Sequence, residues 1–133
     1  MIFVDTSFWI AAQMQEDDRH RDAICLREIM RNRAAATSNQ VRGEAWTFLR
    51  RRRGHRAAFA FLDLLDRSPR VQVHRITEDL EQEALAWLRR HDERPYSFVD
   101  ATSFALMRSL GIREALAFDG DFAAAGFVEL RAG

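Results

Sequence analysis

The chain contains 133 residues, of which 47% are hydrophobic and 30% are charged. This length and composition suit a single folded domain over residues 1–133 and exclude a disordered chain. Twenty acidic and twenty basic residues cancel, so nucleic-acid binding would require a local patch of positive charge. Every basic residue is arginine, which excludes catalysis by a lysine, and the single cysteine excludes an internal disulfide and a multi-cysteine zinc site.

The N-terminal residues argue against a secretory or membrane segment. They lack a basic leader, and Asp5 interrupts the first apolar run. No other apolar stretch approaches the roughly 18 residues that a membrane span needs. We therefore expect a soluble cytoplasmic protein with no membrane contact.

Short apolar runs alternate with helical patterns along the chain. Strands are predicted at 2–4, 34–38, 71–73, 115–118 and 127–130. Helices are predicted at 17–33, 39–53, 55–67, 77–90 and 97–110, the last of them ended by Gly111. This alternation predicts an α/β fold with a mainly parallel sheet, covered by helices on both faces. In such folds the functional crevice lies beyond the carboxyl ends of the strands.

The predicted helix at 55–67 is apolar around nearly its whole circumference. A helix of this kind is buried at the centre of a domain or forms the face of a homodimer. The sequence leaves both interpretations open.

Two aspartates directly follow predicted strands. Asp5 comes after the strand at 2–4 and Asp119 after the strand at 115–118, so both are expected at the carboxyl edge of the sheet. Either residue alone could simply cap the helix that follows it. Their presence at the ends of two different strands favours a shared site.

Three further acids have unusual positions. Asp100 is the only charged residue of the segment FVDATSFALM, in a helix whose apolar circumference predicts burial. A capping box with Ser97 would also explain Asp100, and that role is compatible with metal binding. Glu44 lies beside the apolar stripe of the helix at 39–53, whereas Asp121 occupies a predicted loop with solvent access and a possible turn role.

Carboxylates that meet at one sheet edge would repel each other and raise their own pKa values. A hard divalent cation removes this conflict, because Mg²⁺ and Mn²⁺ take oxygen ligands and leave positions open for phosphate oxygens. Such sites suit the hydrolysis of phosphodiesters, since the metal lowers the pKa of an attacking water.

Four segments together resemble the signature of the PIN-domain family, and more closely that of the VapC toxins of type II toxin–antitoxin systems. They are FVDTS at 3–7, TSNQVRGE at 37–44, YSFVDATSFALM at 96–107 and ALAFDGDF at 115–122. The resemblance implies a three-layer α/β/α sandwich and an Mg²⁺- or Mn²⁺-dependent endoribonuclease that hydrolyses RNA and is neutralised by a cognate antitoxin.

The resemblance also implies residue roles. Asp5, Glu44, Asp100 and Asp119 match the family's catalytic acids. Asp5, Asp100, Asp119 and the accessory Asp121 are the expected metal ligands, and Glu44 would orient or deprotonate the attacking water. Thr6 and Ser7 would donate hydrogen bonds to the carboxylates or to the substrate phosphate.

One position departs from the family pattern. Many relatives carry a basic residue between the two aspartates of the last motif, and this chain has Gly120 there. The departure puts a substrate contact at this position in doubt and leaves the metal site intact.

Six arginines and one glutamate make the stretch at 42–56 strongly basic. These arginines could be favourable cations at a helix C-terminus. Alternatively, Arg42, Arg51 and Arg52 contact the RNA backbone next to Glu44.

The resemblance further implies an antitoxin groove near Phe8 and Trp9, and a homodimer or larger toxin–antitoxin assembly. Three other interpretations remain open: an inactive PIN-like binding module, a PIN-like nuclease for RNA processing or DNA flaps, and a receiver-type phosphorylation domain. The absence of lysine counts heavily against the receiver.

Overall fold

The computed structural model describes residues 1–133 as five strands and seven helices, which confirms the predicted α/β fold. The strands are β1 (Ile2–Val4), β2 (Ala35–Ser38), β3 (Val71–His74), β4 (Glu114–Leu116) and β5 (Val128–Glu129). The helices are α1 (Thr6–Gln13), α2 (His20–Asn32), α3 (Asn39–Arg53), α4 (His55–Asp66), α5 (Glu78–Arg90), α6 (Phe98–Leu110) and α7 (Asp121–Ala124). None of these helices is both long enough and apolar enough to span a bilayer.

The five strands form one parallel sheet in the order β3-β2-β1-β4-β5. The chain moves outward from β1 to β3 and then crosses back to β4 on the other side of β1. Right-handed crossovers therefore place α1 to α4 over one face of the sheet and α5 to α7 over the other. The result is the expected α/β/α sandwich, and the strand order reverses between β1 and β4.

The centre of the sheet is built from apolar residues that are inaccessible to solvent. All of β1 is buried, as are Ala35, Ala36 and Ala115 on the neighbouring strands. These alanines let the helices approach the sheet closely. Helix α6 is buried along its length from Asp100 to Met107, as its apolar circumference predicted.

Two helices received no predicted range, although a helix after Asp5 or after Asp119 was one explanation of those acids. Helix α1 is buried on nearly every side, so it lacks the one-sided periodicity that reveals a surface helix. Helix α7 is a single turn, which is too short for any periodicity. Strand β4 also ends at Leu116, two residues earlier than expected, so Asp119 follows it after a short extension rather than directly.

Helix α4 is not buried on all sides, so the first of its two interpretations, a buried central helix, is wrong. Ala58, Phe61 and Leu65 pack into the core, whereas Phe59 and Ala60 face solvent, with Phe59 58% exposed. The homodimer interpretation of this helix stays a prediction.

Candidate active site

Five carboxylates line one cavity of about 400 Å³ at the carboxyl edge of the sheet. We call this cavity the acid cleft; its acids are Asp5, Glu44, Asp100, Asp119 and Asp121. The structure therefore brings together every acid that the sequence singled out. The cleft lies beside the point where the strand order reverses, which is where parallel sheets bind their ligands.

Asp5 is held at the end of β1 as the N-cap of α1. Its Oδ2 accepts hydrogen bonds from Ser7 Oγ at 2.7 Å and from the Ser7 backbone N–H at 3.2 Å. Ser7 Oγ in turn accepts a bond from the Phe118 N–H, which ties α1 to the segment after β4. Ser7 thus binds a carboxylate, one of its two predicted roles.

Asp100 is the third residue of α6 and forms a capping box with Ser97. The Asp100 N–H donates to Ser97 Oγ at 2.9 Å, and Asp100 Oδ2 accepts from the Ser97 N–H at 3.0 Å. The capping box is therefore present, and Asp100 is also buried, as the apolar circumference of its helix predicted. The capping box fixes one carboxylate oxygen and leaves the other without a bond from the protein.

Asp119 and Asp121 complete a group of three carboxylates with Asp100. One oxygen from each lies within 4.8 Å of the others, a spacing compatible with a shared cation. Asp119 Oδ1 also accepts from the Asp121 N–H at 3.2 Å. The sharp turn between the two aspartates is possible because Gly120 has a φ of +84°, in the left-handed region that favours glycine.

Arg94 is a site residue that the sequence analysis missed. Its Nε and Nη2 donate to Asp121 Oδ1 at 2.9 and 2.8 Å, and Nη2 also donates to the Asp119 carbonyl. Nη2 lies 3.4 Å from the position that a Cβ at Gly120 would occupy. A positive charge is therefore present where the sequence lacks the family's basic residue, although it comes from a different loop.

Burial raises the pKa values of three acids in the cleft. The pKa of Asp5 is raised to about 7 and that of Asp100 to about 6, in both cases chiefly because burial disfavours the charged form. The pKa of Asp119 is raised for the same reason. Repulsion between the carboxylates, which the sequence analysis emphasised, adds to the effect but is the smaller cause.

These residues fit a divalent cation. Carboxylate oxygens are the ligands that hard cations prefer, and the raised pKa values show that the charged acids lack sufficient compensation. Thr6 also lines the cleft, and its Oγ1 is buried beneath that surface without a hydrogen-bond partner. A metal-bound water or a phosphate oxygen would satisfy that hydroxyl.

Glu44 lies at the mouth of the acid cleft and is exposed to solvent. The buried stripe of α3 consists of Val41, Ala45 and Leu49, so Glu44 does not pack on the apolar face as the sequence suggested. Its carboxylate is instead accessible to both water and substrate.

The predicted arginines divide into two groups. Arg51 and Arg52 line a second cavity of about 670 Å³ beside the acid cleft. Arg42 lines neither cavity, because it lies about 160° around α3 from Glu44 at 100° per residue. The structure thus places two of the three predicted arginines next to the acids.

Comparisons with known proteins agree with this geometry. The sequence-family model of the PIN domain matches residues 2–128. Two curated relatives from two strains of Mycobacterium tuberculosis, both named 23S rRNA-specific endonuclease VapC20, are 57% identical over 131 residues, which is 98% of this chain and 98% of theirs. A crystal structure of M. tuberculosis VapC20, a toxin that cleaves the sarcin–ricin loop, matches with a TM-score of 0.94 at 55% identity, over 99% of this chain and 100% of that one.

The raised pKa of Asp5 predicts an unusual pH dependence of stability. Between about pH 4 and pH 7 the folded protein keeps a proton on Asp5 that the unfolded chain has released. The free energy of unfolding of the metal-free protein should therefore fall as the pH rises through this window. We expect the Tm to drop by several degrees from pH 5 to pH 8, and saturating Mg²⁺ to restore it at pH 8.

Asp5→Asn is the matched variant, because its amide oxygen still accepts the Ser7 bonds but carries no charge. It should show a higher Tm than the wild type at pH 8 and a flatter profile, whereas Asp66→Asn on the exposed end of α4 should follow the wild type. Parallel Tm profiles for Asp5→Asn and the wild type, measured by calorimetry, would contradict this assignment.

Proposed function

This chain belongs to the PIN-domain family, and we propose that it is a metal-dependent endoribonuclease toxin that cleaves 23S rRNA in the sarcin–ricin loop. The observation that carries the proposal is the meeting of five carboxylates, contributed by separate parts of the chain, in one cleft. The target is taken from VapC20, whose identity with this chain extends over nearly the whole of both proteins. A toxin acting on ribosomal RNA works in the cytoplasm.

We assign the metal to Asp5, Asp100 and Asp119, with Asp121 as an accessory ligand. The spacing of Asp100, Asp119 and Asp121 and the free oxygen of Asp100 support those three ligands. Asp5 is included because it lines the same cleft and burial raises its pKa as it does those of Asp100 and Asp119. Mg²⁺ or Mn²⁺ suits the all-oxygen ligands, and when bound it lowers the pKa of the attacking water and stabilises charge on the phosphate.

The remaining residues of the cleft have separate tasks. Glu44, accessible at the mouth, orients the water and accepts its proton. The unpartnered Thr6 hydroxyl donates to a phosphate oxygen, and Ser7 fixes the carboxylate of Asp5. Arg94 holds Asp121 and limits the negative charge of the cleft.

A cognate antitoxin is the proposed protein partner. Phe8 and Trp9 are almost completely buried, but they border a groove of about 300 Å³ together with Met30, Leu64 and Val71. We call it the arginine groove, because its rim carries Arg27, Arg31, Arg67 and Arg70. Glu28 and Asp63 neutralise Arg31 and Arg67, whereas Arg27 and Arg70 form no ion pair. The groove suits an acidic amphipathic segment of the antitoxin.

The proposal also includes a homodimer or a larger toxin–antitoxin assembly.

Receiver-type phosphorylation is excluded, because the chain belongs to the PIN-domain family. An inactive PIN-like module or a nuclease with another target would differ from the proposed enzyme in a cleavage assay.

The first test is cleavage of 23S rRNA and tRNA by purified protein with Mg²⁺, Mn²⁺ or EDTA. We expect metal-dependent cutting of the rRNA, and its loss in Asp5→Ala and Asp100→Ala, because each variant removes a proposed ligand. Asp66→Ala, an exposed acid outside the cleft, should cut like the wild type. Failure of the wild type to cut, with no metal binding by calorimetry, would leave only a binding module.

The second test concerns the arginines beside the cleft. Arg51→Glu/Arg52→Glu should weaken RNA binding and reduce the slope of log K against log salt by about 1.5, since two phosphate contacts are lost. Arg42→Glu makes half that change of charge on the same helix, outside both cavities, and it should reduce the slope by much less than half as much. Equal slopes for the double variant and the wild type would show that Arg51 and Arg52 are only solvated and do not contact the RNA.

The third test concerns the antitoxin. Arg27→Glu/Arg70→Glu should prevent formation of the toxin–antitoxin complex, measured by size-exclusion chromatography, while the free toxin still cuts RNA. Arg89→Glu/Arg90→Glu, at the exposed end of α5, should leave the complex intact. An unchanged complex in the first double variant would remove the arginine groove from the antitoxin interface.

A further inference from the structure

We propose that the cavity beside the acid cleft is a nucleobase-binding subsite in which Phe48 stacks on the base of a nucleotide next to the scissile phosphate. We call this cavity the stacking groove. The inference rests on the proposed ribonuclease function and goes beyond it, because it names a residue that selects where the RNA is cut.

The stacking groove adjoins the acid cleft. Glu44 and Phe48 line both cavities, one turn apart on α3, so the two cavities meet at these side chains. The groove measures about 670 Å³, within the range of about 300–1,000 Å³ that is usual for small-ligand pockets. An RNA strand whose phosphate reaches the carboxylates would therefore place a neighbouring nucleotide against Phe48.

Phe48 presents an aromatic surface that is already oriented. The side chain is half-buried, and the Arg52 guanidinium lies 5.0 Å from its ring centroid. This cation–π contact and packing against the hydrophobic core together restrain the ring. Stacking on aromatic rings and on arginine planes is how proteins hold unpaired bases.

The polar lining of the stacking groove suits the edge of a base. Asn39 Oδ1 accepts a hydrogen bond from the Ile76 N–H at 2.8 Å, which fixes the amide and leaves its Nδ2 group without a partner. Gln40 and Thr47 add further donors and acceptors with no hydrogen bond to the protein. Arg51 on the same rim supplies charge for the adjoining phosphate.

This combination specifies the class of ligand. One aromatic face, amide groups and arginines match a single nucleotide whose base is unpaired or turned out of its helix. A base within a duplex exposes no face for stacking. The stacking groove therefore selects cleavage next to an accessible base.

The test uses a synthetic RNA hairpin of the sarcin–ricin loop and a series of copies in which one nucleotide near the cut lacks its base. The enzymes are the wild type, Phe48→Leu, which keeps an apolar side chain but loses the aromatic face, and Phe48→Tyr, which keeps both. We expect Phe48→Leu to lower kcat/KM on the intact RNA by about tenfold, the value of one stacked base, and Phe48→Tyr to restore it.

The decisive readout is whether the loss of kcat/KM from Phe48→Leu and the loss from removing one base are non-additive. At one abasic position the wild type should lose about the same factor, and Phe48→Leu should lose nothing further, because the stacked base is already absent. A retained Tm and metal affinity in Phe48→Leu would exclude a general loss of structure. Should that variant fail to fold, 2-aminopurine at the same position, bound to Asp100→Asn, should be quenched on binding, and unquenched fluorescence would overturn the inference.

Two other outcomes are distinguishable. The stacking subsite would be overturned, and the ribonuclease function kept, if the wild type cuts the intact RNA and Phe48→Leu cuts it equally well. The same holds if the losses from Phe48→Leu and from base removal multiply at every abasic position. A wild type that cuts no RNA would overturn the proposed function, and this inference with it.

Discussion

The burial of negative charge at one edge of a parallel sheet is the constraint on which this structure depends. Asp5 and Asp100 are 2% and 7% exposed, and neither has a cation as partner. The fold tolerates them because both begin helices, where backbone N–H groups and the helix dipole offset part of the charge. The same two side chains therefore stabilise helix starts and supply the acids of the cleft. The rest of their charge is left uncompensated, as the raised pKa values show.

The sheet topology explains why these helix starts converge. Helix α1 follows β1 and α3 follows β2, each after a capping residue at the carboxyl edge of its strand. Helix α6 begins at the same edge from the opposite layer of the sandwich, with Ser97 as its cap. Three positive helix ends thus face one region. That region favours anions of two kinds, the carboxylates that the protein already carries and the phosphates of the proposed substrate.

Much of this could be predicted from the sequence, because the information was local. The strands and most helices follow from apolar runs and capping residues, and the PIN-family resemblance, which the comparisons confirm, depends on four short motifs. Asp100 was recognisable because a lone charge in an apolar helix is unusual. The range of helix α1 could not be predicted, because a segment buried on nearly all sides has no amphipathic pattern.

What the sequence did not reveal depends on distant contacts. Arg94 donates a hydrogen bond to Asp121, which lies 27 positions further along the chain, and nothing in this spacing indicates that the two residues pair. Arg42 and Arg51 look equivalent in a basic stretch, and only the rotation around α3 separates them. The family roles of the acids were assigned by motif, and their placement in one cleft agrees with those roles.

The contact between Arg94 and the backbone over Gly120 has an evolutionary consequence. The guanidinium occupies the space that a side chain at position 120 would enter, 3.4 Å from its first carbon. A basic residue at 120 would contact Arg94 and deliver a similar charge to the same place, at the cost of a strained left-handed backbone. The two positions are therefore alternative sources of one cation, and an arginine at 94 should accompany glycine at 120 in descendants of this chain. Lineages that gain a basic residue at 120 would then be free to lose Arg94, so the charge would persist while its position in the sequence changes.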